Sequence, residues 1–161
     1  MVEAAFSSLA YGPAALTVDG YLIGLGLPAR PVPLGELREI VLEKNTTLDV
    51  RDAVWAHLVG RARADEMWVT ACLGMALPGL KAAAGRLTAA HPREVGDDIT
   101  AEMVTAFIRH LREVDVTKPN ICSHLVFRAR KQAGRERARH LNAAGHLPLD
   151  PVEATTPADH D

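Results

Sequence analysis

Apolar residues recur at helical spacing over most of the chain, and this pattern begins at Leu34. A short helix starts there, and Thr47 or Asp49 can cap the next helix, which covers about residues 50–62. Asp65 and Glu66 favour the start of a third helix, because acidic side chains complement the positive end of its dipole. The inward positions predicted for the first two helices are Leu34, Leu37, Ile40, Val41, Val54, Trp55 and Leu58.

The third predicted helix is long and carries two apolar stripes. A helix that is apolar on two sides must be covered on most of them, which predicts that it lies at the centre of the domain. Pro78 lies inside this helix, and proline removes one backbone hydrogen bond, so we expect a bend or short break at about residues 76–79. One stripe contains Trp68, Cys72, Met75 and Gly79, and the other contains Leu73, Leu77, Leu80, Ala84 and Leu87.

Two amphipathic helices follow. A loop over about residues 89–96 leads to the fourth helix, which Asp97 or Asp98 caps. The fifth opens at Thr117-Lys118-Pro119, since proline suits a first helical turn, and it stops at Gly145. The inward residues are Ile99, Met103, Ala106, Phe107, His110, Leu111 and Val114 in the fourth helix and Ile121, Leu125, Ala129 and Ala133 in the fifth.

Both ends of the chain differ from this helical middle. Residues 1–33 hold many glycines and prolines, and although Asp19-Gly20 between apolar residues is a hairpin signal, an irregular, loosely packed N-terminal arm is favoured. Residues 150–161 contain four acidic side chains and no lysine or arginine, which predicts a disordered acidic tail over residues 146–161. The predicted fold class is therefore all-α: a single bundle of four to five main helices over residues 34–145, with a kinked central helix.

Composition sets limits on the kind of protein. A chain of 161 residues with 48% hydrophobic and 24% charged residues is typical of one globular domain. The net charge of −2 excludes a protein that coats nucleic acid with its whole surface, so any such contact needs a local patch. Cys72 and Cys122 have no paired spacing and suit a reduced interior. No bilayer-spanning stretch or signal peptide is predicted, and we expect a cytoplasmic protein.

The sequence offers no catalytic motif. Seven histidines are present, yet none has zinc-ligand spacing, and His110 and His124 are predicted to be satisfied core or boundary residues. Cys122 and His124 are two positions apart on a helix and point in different directions. Glycine-rich phosphate loops are absent. The sequence thus predicts no enzyme, no cofactor, no metal site and no small-molecule substrate.

The one local excess of positive charge lies between Phe127 and His140, where six basic residues accompany a single acid, Glu136. Such a cluster can contact phosphates, which makes binding depend on salt. Alternatively, it is the solvated end of a helix whose cations complement the negative C-terminal dipole.

Three segments, at about residues 65–87, 97–103 and 121–130, resemble region 2 of the sigma-70 family of RNA polymerase sigma factors, in the extracytoplasmic-function style. The first contains Leu-Pro-Gly-Leu-Lys, and the second, Asp-Asp-Ile-Thr-Ala-Glu-Met, is similar to an Asp-Leu-x-Gln-Glu-x-Phe signature. The chain departs from the family at Ala101, Ser123, His124 and Lys131, and we expect no C-terminal helix-turn-helix domain after His140.

The resemblance implies two surfaces. One polar helix face docks on RNA polymerase, and carried over by position it consists of Asp98, Glu102, Thr105 and Arg109. The following helix faces promoter DNA, and the matching residues are Phe127, Arg128, Arg130, Lys131 and Arg135.

The first function hypothesis is therefore a sigma-like transcription protein that binds RNA polymerase, DNA or both. The alternative is a small helical adaptor protein that has lost DNA binding. An enzyme whose site is assembled from histidines and carboxylates ranks last.

Overall fold

The computed structural model describes residues 2–89 and 93–145, and their order of elements confirms the all-α class. Five main helices lie within residues 34–145, as predicted, and the tail at 146–161 lies outside the described residues. The elements are α1 (Val2–Ala10), β1 (Thr17–Asp19), α2 (Gly20–Ile23), β2 (Pro31–Pro33), α3 (Leu34–Leu42), α4 (Leu48–Ala62), α5 (Glu66–Thr88), α6 (Arg93–Leu111) and α7 (Ile121–Gly145).

Helix α5 is the centre of the bundle, and α1, α3, α4, α6 and α7 all pack on it. Both predicted stripes supply the core, although Gly79 is exposed and Leu77 and Leu87 are only half-buried. The helix starts as predicted, because the Asp65 carboxylate accepts the backbone N–H of Met67 at 2.9 Å. The buried stripe residues are Trp68, Cys72, Leu73, Met75, Leu80 and Ala84.

By length and composition alone, α5 could also cross a membrane, in contrast to the expectation from sequence. Over half of its most apolar 18-residue window, 56%, is buried against the rest of the protein. The central helix of a globular bundle has the same composition because it is covered on most sides. The hydropathy of α5 is therefore weak evidence for a membrane span.

Helix α5 continues through Pro78, so of the bend or short break expected at residues 76–79 there is no break. Proline has no N–H, so the carbonyl of Gly74, four positions earlier, loses its helical donor. The Arg38 guanidinium of α3 replaces that donor, with Nη1 at 2.8 Å from the Gly74 oxygen. A side chain from a neighbouring helix thus satisfies the backbone group that the proline leaves unpaired.

Arg38 also connects α3 to α1. It forms a bidentate ion pair with Glu3, in which Nη1 lies 3.1 Å from Oε1 and Nη2 lies 3.0 Å from Oε2. Its guanidinium also lies 4.4 Å from the ring centre of Phe6. The Arg38 hydrogen bonds lower the pKa of the Glu3 carboxyl. Phe6 is fully buried against Gly74, where a side chain would overlap its ring. We call Glu3, Phe6, Arg38, Gly74 and Pro78 the Arg38 cluster.

The N-terminal 33 residues differ from the expected irregular arm. Helix α1 buries Phe6 against α5, and β1 pairs with β2 in an antiparallel ladder in which Val18 faces Val32. Asp19 caps α2 by accepting the N–H of Tyr21 at 2.9 Å. The glycines and prolines that suggested irregularity shape the connections, while apolar contacts distant in sequence hold the segment to the core.

Two helix boundaries also differ from prediction. Helix α6 begins at Arg93, so neither Asp97 nor Asp98 is its cap, and residues 93–96 of the expected loop are helical. Helix α7 begins at Ile121, after Asn120, whose φ of 63° is in the left-handed region. The cap of α4 is Thr47, one of the two predicted candidates, and its hydroxyl accepts the N–H of Val50 at 3.3 Å.

The contact between Gly74 and Phe6 gives a stability prediction. Gly74→Ala is expected to lower the free energy of unfolding by about 1–3 kcal/mol, because the added methyl group overpacks the core. This loss occurs although alanine is by itself the better helix former. Denaturant-induced unfolding, followed by circular dichroism, measures the change.

The matched control is Gly85→Ala in the same helix, where an added Cβ meets no atom within 4 Å. That change is expected to raise the unfolding free energy by up to about 1 kcal/mol. In a Phe6→Ala background, most of the Gly74→Ala penalty should disappear. Equal effects of the two glycine substitutions would contradict close packing at Gly74.

Candidate nucleic-acid interface

The N-terminus of α7 is held by a side chain from another helix. Both oxygens of Asp52, in α4, accept backbone N–H groups, one from Asn120 and one from Ile121, each at 2.9 Å. The first N–H groups of a helix have no partners within it, so Asp52 acts as a cap supplied by tertiary structure. It fixes the position of α7 against the bundle.

The inner face of α7 agrees with the prediction, since Ile121, Leu125, Ala129 and Ala133 are all buried. The predicted inner face of α6 is buried too, except that His110 is only half-buried; Val114, predicted to continue this face, lies beyond the end of the helix at Leu111. Helices α6 and α7 pack extensively on each other. Their apolar faces therefore turn the basic stripe of α7 outward.

A basic cleft lies where α6 meets α7, with a volume of about 240 Å³. Successive steps of three or four residues place its α7 side chains on one helical face. None of the described residues that line it is acidic. We call this the α6–α7 cleft; its lining residues are His110, His124, Phe127, Arg128, Lys131, Gln132 and Arg135.

Phe127 is the aromatic residue of the cleft and is 48% exposed. The Arg130 guanidinium lies 5.5 Å from its ring centre, and the Lys131 ammonium lies at 5.7 Å. These are distances at which a cation is attracted to the negative face of an aromatic ring. Phe127 thus helps to hold two cations at the cleft.

The structure brings four of the five residues expected to face DNA into this cleft: Phe127, Arg128, Lys131 and Arg135. The fifth, Arg130, is half-buried beside it. Glu136, the single acid of the basic segment, pairs with Arg139 at 2.8 Å.

The residues expected to face a polymerase lie along α6. Asp98, Thr105 and Arg109 are exposed, whereas Glu102 is half-buried. The Thr105 hydroxyl donates to the Ala101 carbonyl of its own helix at 3.1 Å. Three of the four residues therefore lie on an accessible surface.

The two histidines of the cleft differ from the satisfied histidines expected from sequence. His124 is exposed. The side chain of His110 is only 13% exposed, and its buried Nε2 has no hydrogen-bond partner among the described residues. Leaving such a group unpaired typically costs about 1–3 kcal/mol.

Burial lowers the pKa of His110, and Arg128, Arg109 and His124 lower it further, while Glu113 opposes them. The Glu113 carboxylate is 4.0 Å from Nδ1, beyond hydrogen-bond distance. His110 is therefore harder to protonate than an exposed histidine, at the edge of a positively charged cleft.

The two cysteine thiols are poor nucleophiles near neutral pH. Burial raises the pKa of both the Cys72 and Cys122 thiols to about 12, so neither is a thiolate near neutral pH. The Cys72 thiol donates to the Leu58 carbonyl at 3.5 Å. Within residues 2–89 and 93–145, no group of three or more histidine, cysteine or acidic side chains is placed to hold a metal ion.

No family model, no curated protein and no solved structure matches this chain significantly. The resemblance to sigma-70 region 2 therefore rests on the three quoted segments alone.

Sequence reasoning found the cations of the cleft and Phe127, and it missed Gln132 and the two histidines. Of these, His110 joins Arg128 only once α6 and α7 are packed. The i, i+4 and i, i+7 spacing of His124, Arg128 and Lys131 is a signal for the α7 side of the cleft. Asp52 has no local signal, because its partners are 68 and 69 positions away.

The cap on α7 gives a second prediction. Asp52→Ala is expected to lower the free energy of unfolding by about 0.5–2 kcal/mol, because two backbone N–H groups lose their acceptor. Amide hydrogen exchange should also become faster in the first turn of α7. Asp49→Ala, on the exposed first turn of α4, serves as the control. If both variants gave the same exchange rates at residues 121–124, Asp52 would not be the cap.

Proposed function

We propose that this chain is a sigma-like transcription protein that contacts the phosphate backbone of DNA through the α6–α7 cleft, without chemistry of its own. The single observation that carries the proposal is the cleft itself, in which Arg128, Lys131 and Arg135 converge with no acidic side chain among the lining residues. Phosphate oxygens are the usual ligands of such clusters.

The electrostatics favour a local contact. The whole chain has a net charge of −2, so non-specific attraction of the entire protein to DNA is weak. The cleft cations are not paired with the one acid of the basic segment, since Glu136 bonds to Arg139. They are available to replace counterions on a nucleic acid. As part of the same proposal, we place the protein in the cytoplasm.

The chemistry of the cleft favours backbone contacts over base reading. Arg130 and Lys131 lie over the ring of Phe127, so that ring already has cationic partners. Recognition of single strands normally uses several aromatic side chains on which bases stack. The described cleft contains one, and we therefore expect modest sequence preference.

The test is a salt series of DNA binding. Affinity for a labelled duplex should fall steeply between roughly 50 and 200 mM salt, with a slope of about 0.9 per phosphate contacted. Replacing Arg128, Lys131 and Arg135 together with alanine should weaken binding at every sequence and reduce the slope by up to about 3. Fluorescence anisotropy measures both quantities.

The matched control changes the net charge equally elsewhere. Lys44, Arg86 and Lys118 are exposed basic residues outside α7, and their triple alanine variant should keep most of the affinity and slope. Weak binding with no salt dependence would refute the proposal. An equal loss in both triple variants would refute the assignment of the cleft.

The polymerase contact is a second part of the same proposal, supported by the resemblance and by the exposure of Asp98 and Arg109. Asp98→Lys combined with Arg109→Glu reverses both charges at constant net charge. This variant should be recovered with purified RNA polymerase at least severalfold less than the wild type. Equal recovery would favour an adaptor with a different docking face.

A further inference from the structure

The α6–α7 cleft contains a polar atom that its own chain does not satisfy. The His110 side chain lines the cleft, and its Nε2 is buried with no hydrogen-bond partner among the described residues. Buried polar atoms in native proteins nearly always have hydrogen-bond partners. A buried atom without one therefore indicates that a ligand supplies the partner. A phosphate oxygen is an acceptor that fits a cleft lined by cations.

The charges around His110 define what such a ligand would do. From its own helix, Arg109 acts on the imidazole, from the turn after that helix Glu113 does, and from α7 Arg128 and His124 do so. Burial and the positive groups together outweigh Glu113, so the pKa of His110 in the free protein is lowered. An anion among these cations reverses the sign of the local field and favours the imidazolium.

We propose that the α6–α7 cleft holds one phosphate group of a nucleic acid backbone, and that His110 binds it through Nε2–H as an imidazolium beside Arg128 and Lys131. This assignment rests on the proposed function. It adds His110, which lies outside the expected DNA face, to the binding site. It also implies that binding is accompanied by the uptake of a proton. No covalent bond breaks: a phosphodiester carries no proton to give, so His110 takes its proton from the solvent.

The second nitrogen of the ring supports this arrangement. Glu113 lies 4.0 Å from Nδ1, and its side chain is 67% exposed and so has room to move. When the imidazole is protonated, both nitrogens are donors. Nδ1–H can then donate to the Glu113 carboxylate while Nε2–H donates to the phosphate. Glu113 is a positioning residue, since it acts on the ligand only through His110.

The consequence is that binding tightens as pH falls. The pKa of His110 in the free protein lies below its ordinary value of 6.5. A bound phosphate would raise it, because a nearby anion favours the imidazolium. Between these two pKa values, the dissociation constant should rise with pH by up to about tenfold per unit. Below the lower value both states are protonated, and above the upper value neither is, so the dependence levels off.

The experiment measures duplex affinity of the full chain by fluorescence anisotropy at constant ionic strength, from roughly pH 5 to 8, a range that brackets the titration of histidine. His110→Gln should flatten the pH profile and keep the steep salt dependence. His57→Gln is the matched control, because His57 is also half-buried with a lowered pKa but lies on α4, outside the cleft. Its profile should match the wild type.

The exposed His124 needs its own arm, because it also lines the cleft. If His124→Gln removes the pH dependence and His110→Gln does not, the assignment to His110 is overturned. Glu113→Gln should shift the profile to lower pH while its steepness remains. A profile unchanged by Glu113→Gln would overturn the role given to Nδ1.

A spectroscopic arm covers the case in which His110→Gln fails to fold. In the wild-type chain, proton NMR should show the imidazole signal of His110 titrating at higher pH with the duplex than without it. A shift produced by inorganic phosphate and absent with the duplex would overturn the assignment to nucleic acid. Salt-dependent binding with no pH dependence overturns this inference alone, whereas the absence of duplex binding overturns the proposed function with it.

Discussion

The carbonyl of Gly74 has no donor within its own helix, because the residue that should supply it is a proline. The most buried helix of the bundle therefore carries a backbone defect at its middle. Arg38 repairs it from α3, at 2.8 Å, and the same guanidinium binds Glu3 and stacks on Phe6. One side chain thus joins α1, α3 and α5, and the position of every other helix depends on α5.

The same logic connects the core to the cleft. Asp52 lies on α4, which packs on α5, and its carboxylate holds the first backbone N–H groups of α7. The orientation of α7 then determines which of its faces is buried, and the row of apolar residues from Ile121 to Ala133 leaves the basic stripe outside. The positive charge of the cleft therefore depends on the contact by which Asp52 fixes the N-terminus of α7.

Much of the bundle could be predicted from sequence, because the spacing of apolar residues and the capping residues within each helix indicate which face is buried and where the helix begins. The inner faces of α6 and α7 follow from apolar residues at helical spacing, and Thr47 and Asp65 are caps whose chemistry acts within three residues. The cations of α7 were evident for the same reason, since they lie on one continuous segment.

What could not be predicted depends on contacts between distant segments. The N-terminal segment was expected to be irregular because its glycines and prolines are visible in the sequence, whereas the burial of Phe6 against Gly74 is not. His110 was placed correctly near an inner face, yet its unpaired nitrogen emerges only when the cationic side of α7 packs beside it. In both cases the deciding partner lies on another helix, and helical periodicity carries no information about it.

The Arg38 cluster also has a consequence for how the protein is made. Arg38 has to meet Glu3, 35 positions earlier, and Gly74, 36 positions later. At translation rates of about 5–20 residues per second, Gly74 is synthesised on the order of seconds after α3, so α1 and α3 lack their contact with its carbonyl during that time. Isolated helices of nine residues have only marginal stability in water. During that interval the ring of Phe6 is therefore exposed to solvent, and a chaperone can bind it.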